Sequence, residues 1–104
     1  MVELIWTEAA IQDIDVIADY IALDKPEAAK KLVVRIFEKV ENLKRFPKLG
    51  SSPPELRGMP YRQLVISPCR LFYRIEGKKL FILHVLRGEQ LVHAGLFVRL
   101  MKSL

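Results

Sequence analysis

The sequence predicts an α+β domain: an N-terminal strand, an antiparallel helical hairpin packed on a mainly antiparallel four-stranded sheet, and a C-terminal helix. Three observations lead there. Two stretches early in the chain repeat apolar residues at helical spacing, and Asp24-Lys25-Pro26 separates them. Three later stretches read as strands, two of them joined by Gly77-Lys78, a pair suited to a two-residue hairpin turn. After Gly88 the apolar spacing becomes helical again.

Taken in order, Val2 to Trp6 forms the first strand, with Leu4 and Trp6 on one side. Thr7 is the expected N-cap of a helix running to about Leu23, and Glu8 suits its first turn. Ala10, Ile14, Ile17, Ala18 and Ile21 share one stripe of that helix. Pro26 opens the second helix, whose stripe is Ala29, Leu32, Val33, Ile36, Val40 and Leu43, and Pro47 ends it. Residues 47–60 hold four of the six prolines and form a loop. Strands are expected over Tyr61–Ser67, Cys69–Glu76 and Lys79–Arg87, followed by a helix over Glu89–Leu104 with Val92, Leu96 and Leu100 inward. Trp6 and Tyr20 are expected to pack between helix and sheet. The 104 residues make a single domain, 1–104, with room for one core.

The strand CRLFYRI, Cys69 to Ile75, carries Arg70 and Arg74 on one side. The Gly77-Lys78 turn sets Arg74 opposite Phe81 and Phe72 opposite Leu83, and a turn at Ser67-Pro68 would set Val65 opposite Arg70. Strict alternation then gathers Tyr61, Gln63, Val65, Arg70, Phe72, Arg74, Glu76, Lys79, Phe81, Leu83, Val85 and Arg87 on one face. The other face, with Arg62, Leu64, Ile66, Cys69, Leu71, Tyr73, Ile75, Leu80, Ile82, His84 and Leu86, is more apolar and should meet the helical hairpin. Arg70, Arg74 and Arg87 therefore converge on a half-open face that the last helix partly covers. Only Glu76 and Glu89 are acids close to them in sequence. Two acids are too few for three arginines, so the face is expected to take an anionic ligand through paired guanidinium bonds.

Charge is unevenly spread along the chain. The first 24 residues carry six acids and no lysine or arginine, whereas residues 25–49 carry eight basic side chains against three acids. Residues 50–104 carry nine against three, and the whole chain has a formal net charge of +5. An acidic and a basic helix side by side partly neutralise each other; the basic remainder suits a nucleic acid or an acidic protein. No apolar run is long enough to span a membrane, and the N-terminus lacks the pattern of a secretory signal. The lone Cys69 fits a reducing, cytoplasmic setting and a buried filler role. One cysteine and two distant histidines offer no metal-ligand spacing, and no cofactor motif is present.

LRGMPYRQLV leading into CRLFYRI, the strand KKLFILHVLRG, and the order of elements around them resemble the RelE/ParE superfamily of toxins from bacterial type II toxin–antitoxin pairs. WTEAAIQDIDVIADYIA, followed by a Pro-started helix and FPKLGSSPPELRGMPYR, is especially similar to the ParE branch. The resemblance covers nearly the whole chain. It implies a toxin bound in a hetero-oligomer by a cognate acidic antitoxin that folds on binding, with DNA gyrase as the target. The RelE branch instead cuts messenger RNA on the ribosome.

RNA cleavage needs a group to activate the ribose hydroxyl, an acid for the leaving oxygen and cations for the phosphate. The resemblance places Arg70 at the ribonuclease branch's strand arginine and Arg87 close to its basic cluster. That branch's C-terminal tyrosine aligns near Ala94, and no tyrosine follows Tyr73. His93, one residue away, is the candidate base; His84 is expected as a hydrogen-bonded core histidine. The incomplete set favours a gyrase inhibitor that runs no reaction, with Tyr61, Arg62, Arg70, Arg74 and Arg87 as its target face. The alternatives are a ribosome-dependent endoribonuclease using Arg70, Arg87 and His93, and a degenerate toxin acting only as antitoxin partner and co-repressor.

Overall fold

The computed structural model describes residues 1–88; the helix expected over Glu89–Leu104, and His93 within it, lie outside the described residues. The elements are β1 (Glu3–Trp6), α1 (Glu8–Ala22), α2 (Pro26–Glu41), β2 (Arg62–Ile66), β3 (Cys69–Glu76) and β4 (Lys79–Arg87). They form a four-stranded sheet of order β1-β4-β3-β2, in which β1 runs parallel to β4 and the other pairs are antiparallel.

Local chemistry starts the helices where the sequence places them. The Thr7 hydroxyl accepts from the Ala10 N–H at 3.2 Å, satisfying one of the donors that a helix start leaves unpaired. The same hydroxyl donates to the Ile82 carbonyl at 2.7 Å, so the cap also bolts α1 to β4. Pro26 occupies the first turn of α2, where its missing N–H costs nothing. That helix ends at Glu41 and tightens into a 3-10 turn at Asn42–Lys44, short of Pro47.

Two apolar layers flank the sheet. The larger packs Ala10, Ile14 and Ile17 of α1 and Leu32, Ile36 and Val40 of α2 against Leu71, Tyr73, Leu80, Ile82 and Val85. The smaller gathers Phe72, Leu83 and Leu86 under Leu56 and Tyr61, with Phe81 at its edge. Phe72 and Leu83 are fully buried. The face expected to be half-open is therefore a second small core at its apolar centre, since the loop before β2 folds back and lays Leu56 on it.

The β3–β4 register follows the Gly77-Lys78 turn only as far as Tyr73 opposite Ile82; the next pair is Phe72 with His84. Leu83 is the extra residue of a β-bulge. One inserted residue inverts the alternation beyond it. Val85 accordingly joins the hairpin-side core and Leu86 the opposite one, the reverse of the strict alternation expected. Asp13 of α1 receives the displaced backbone: its carboxylate accepts from the Val85 N–H at 3.0 Å and lies 2.9 Å from His84 Nδ1. His84 is 2% exposed, a hydrogen-bonded core histidine as the sequence implied.

Candidate functional site

Arg70 emerges near the start of β3, diagonally across from Gln63 of β2. Its Nη1 and Nη2 donate to the two carboxylate oxygens of Glu55 at 2.9 and 2.8 Å. Nε and Nη2 also reach Gln63 Oε1, at 2.9 and 2.6 Å. The guanidinium carbon sits 5.1 Å from the centre of the Phe72 ring. This paired geometry uses the fork that distinguishes arginine from lysine. The hydrogen bonds from Arg70 hold the Glu55 carboxyl below its ordinary value, against a smaller upward push from burial.

Arg70 is thus engaged by an acid the local sequence did not offer. Glu55 lies 15 residues away, on a short 3-10 turn, Pro54–Leu56, whose Leu56 is anchored in the smaller core. Nothing in the linear sequence places that turn beside Arg70. The diagonal approach to Gln63, in contrast, follows from the β2–β3 pairing alone.

Arg74 shares the face of Arg70, as expected, and its Nη2 donates to Glu76 at 2.6 Å. Arg87 does not join them. The bulge at Leu83 turns it to the hairpin side, where its guanidinium carbon lies 4.3 Å from the centre of the Tyr20 ring of α1. Tyr20 is 58% exposed, so it serves as an outer shelf for a cation rather than as interior packing. The expected convergence of three arginines is corrected to a pair on one face and a single arginine on the other.

Tyr61 and Arg62 hold the loop in place. Tyr61 is buried in the smaller core. Arg62 donates to the Gly50 carbonyl, through Nε at 3.1 Å and Nη2 at 2.7 Å, and to the Lys48 carbonyl at 3.1 Å. The buried Tyr73 hydroxyl completes this clasp, accepting from the Gly50 N–H at 2.9 Å and donating to the Pro47 carbonyl at 2.8 Å. A Cβ on Gly50 would meet the Gln63 carbonyl oxygen at 2.3 Å, so only glycine fits under the clasp.

The helical hairpin carries a different kind of surface. Near its closed end an apolar groove of about 580 Å³ runs between Ala18 and Ala22 of α1 and Ala29 and Val33 of α2. Lys30 lines it on one side, and the neighbouring Val34 and Leu23 are exposed. Among the described residues no three of His, Cys, Asp and Glu come together in a way that could hold a metal ion.

Residues 4–92 match the family model described as the ParE toxin of type II toxin–antitoxin system, parDE. Toxin RelE2 of Caulobacter vibrioides is 28% identical over 89 residues, which span 84% of this chain and 92% of that protein. A chain of the chromosomal ParDE toxin–antitoxin system from P. aeruginosa superposes with a TM-score of 0.74 at 33% identity, covering 86% of this chain and 98% of that one. The fold therefore matches that of a chain from a type II toxin–antitoxin system, and the chain belongs to the ParE toxin family.

Proposed function

We propose that this toxin inhibits DNA gyrase by binding it, without catalysing a reaction of its own, and that a cognate acidic antitoxin neutralises it in the cytoplasm. The β4 bulge is the observation that carries the choice. The endoribonuclease reading draws its phosphate cations from Arg70 and Arg87, and the bulge sets these on opposite faces. Arg70 is moreover satisfied by Glu55 and Gln63. The Tyr73 phenol is buried with both its hydrogen bonds made, so it supplies neither a proton nor a stacking surface. Of the expected target face, Arg70 and Arg74 remain together on one side of the sheet, each paired with an acid, Glu55 and Glu76.

The match to a chain from a ParDE system supports an antitoxin partner. The apolar groove of the hairpin carries Lys30 and Asp19 at its lining, and the adjoining cleft carries Lys31 and Arg35 with Glu38; the apolar floor with its excess of cations suits an acidic segment that folds as it binds. Similarity to a protein named Toxin RelE2 keeps a ribosome-dependent endoribonuclease as the second reading.

Purified toxin, gyrase, ATP and relaxed plasmid separate the two. Linear DNA released on denaturing the enzyme, rising with toxin and suppressed by antitoxin, is the expected result. Unimpaired supercoiling, together with cleavage of messenger RNA on purified ribosomes, would overturn the proposal.

A further inference from the structure

A second basic surface lies at the opposite end of β3 from Arg70. There the N-terminal strand, the end of the helical hairpin and the β3–β4 turn meet around a cleft of about 360 Å³ lined by Val2, Lys44, Arg45, Pro47, Gly77 and Lys78, with Met1 at its edge. The backbone holds these three segments together. The Glu3 N–H donates to the Lys78 carbonyl at 2.8 Å, and the Val2 N–H donates to the Lys44 carbonyl at 3.3 Å. Gly77, at φ +59°, makes the turn that presents Lys78. The backbone that carries these cations is thus held by the fold.

Lys44 pairs with Glu41. Arg45 and Lys78 form no ion pair with any described residue. Between the lining residues Arg45 and Pro47 stands Phe46, whose side chain is among the large exposed apolar groups, at 61%. Lys48 is exposed directly beyond Pro47. Cations that line a cleft, with an exposed aromatic side chain next to them in sequence, are a combination suited to single-stranded nucleic acid: the cations track the phosphates and the ring stacks a base.

We propose that this cleft binds the phosphodiester backbone of a single-stranded nucleic acid, with Arg45 and Lys78 on phosphates and Phe46 beneath a base. An acidic peptide fits less well. A peptide that orders on binding needs apolar area to offset the lost entropy, and among the described residues the hairpin groove offers more of it than this cleft. The site is independent of which target the toxin attacks, and it shares no residue with the face around Arg70.

Fluorescence anisotropy of labelled 12-nucleotide single strands, as DNA and as RNA of the same sequence, tests the assignment on the full chain. Binding should weaken with salt. The Arg45→Ala/Lys78→Ala double variant should reduce the slope of log K against log salt by about 1.4, from roughly 0.7 for each phosphate no longer neutralised. Phe46→Ala should cost at least about fivefold in affinity with that slope unchanged. A Lys30→Ala/Lys31→Ala control removes the same charge from α2 and should leave the slope as it was. All three variants are at the surface, and unchanged melting temperatures would confirm that they fold. The tighter of the DNA and RNA strands identifies the source of the phosphates. Absence of binding, equal binding by the double variant, or tighter capture of polyglutamate than of either strand would overturn the proposal.

Discussion

Replacing Glu55 by Gln removes the charge that Arg70 faces while keeping the length and shape of the side chain. The structure gives the pair two parallel bonds, at 2.9 and 2.8 Å, between side chains that are 17% exposed for Arg70 and 37% for Glu55. Hydrogen bonds to charged groups contribute about 1.5–3 kcal/mol when well shielded. Exposed pairs contribute roughly 0.2–1 kcal/mol. Glu55 is more than a third exposed, so water screens it, and the two-pronged geometry brings the coupling to about 1 kcal/mol. A double-mutant cycle of Glu55→Gln and Arg70→Gln, read by urea unfolding at pH 7, isolates this term, because the lost stacking on Phe72 is common to both sides of the cycle. Acid should abolish it in a definite direction. Arg70 holds the folded-state carboxyl below its ordinary value. The contribution is therefore fully present above the unfolded-state value, about 4.3, and is lost as pH falls through the lower folded-state value. A coupling under about 0.3 kcal/mol at pH 7, or one that persists unchanged through the acid range, would refute the assignment of Arg70 as a tie between the sheet and the loop.

Three further outcomes follow from the clasp and the cap. Tyr73→Phe strips the partner from the buried Gly50 N–H and should cost about 1–3 kcal/mol, seen as a fall in melting temperature of about 4–8 °C per kcal/mol; an unchanged melting temperature would show that the hydroxyl does not hold the loop. Gly50→Ala forces a methyl group against a backbone oxygen and should cost about 1–3 kcal/mol or more, measured by the same melting curves, with a neutral result counting against the close approach. Thr7→Ala removes both the cap on Ala10 and the bond to Ile82. It should destabilise the fold by about 1 kcal/mol, with faster amide exchange at Ala10 while α2 keeps its protection.

The cation cluster shows where reading from residues succeeds and where it stops. Helix starts at Thr7 and Pro26, and the hairpin turn at Gly77, rest on side chains and backbone angles within a few residues of each other, so the linear order contains the whole cause. The β2–β3 register likewise follows from its turn, and it holds through Val65 opposite Arg70 and Gln63 opposite Phe72. Family membership was legible for a related reason, since the ordered run of short motifs spans most of the chain.

The sequence by itself therefore determined the α+β class, the helical stripes, the hairpins and the kinship to ParE toxins. Only the tertiary structure decided which arginines share a face. The run LFILHVL is apolar at nearly every position, so its pattern contains no parity signal to betray an inserted residue. The bulge at Leu83 is instead accommodated by Asp13, 72 residues from Val85 in sequence, whose carboxylate takes up the displaced N–H. Glu55 reaches Arg70 in the same non-local way, carried by a loop that Leu56 anchors in the smaller core. Both interactions depend on where distant segments pack, and local periodicity contains no information about that.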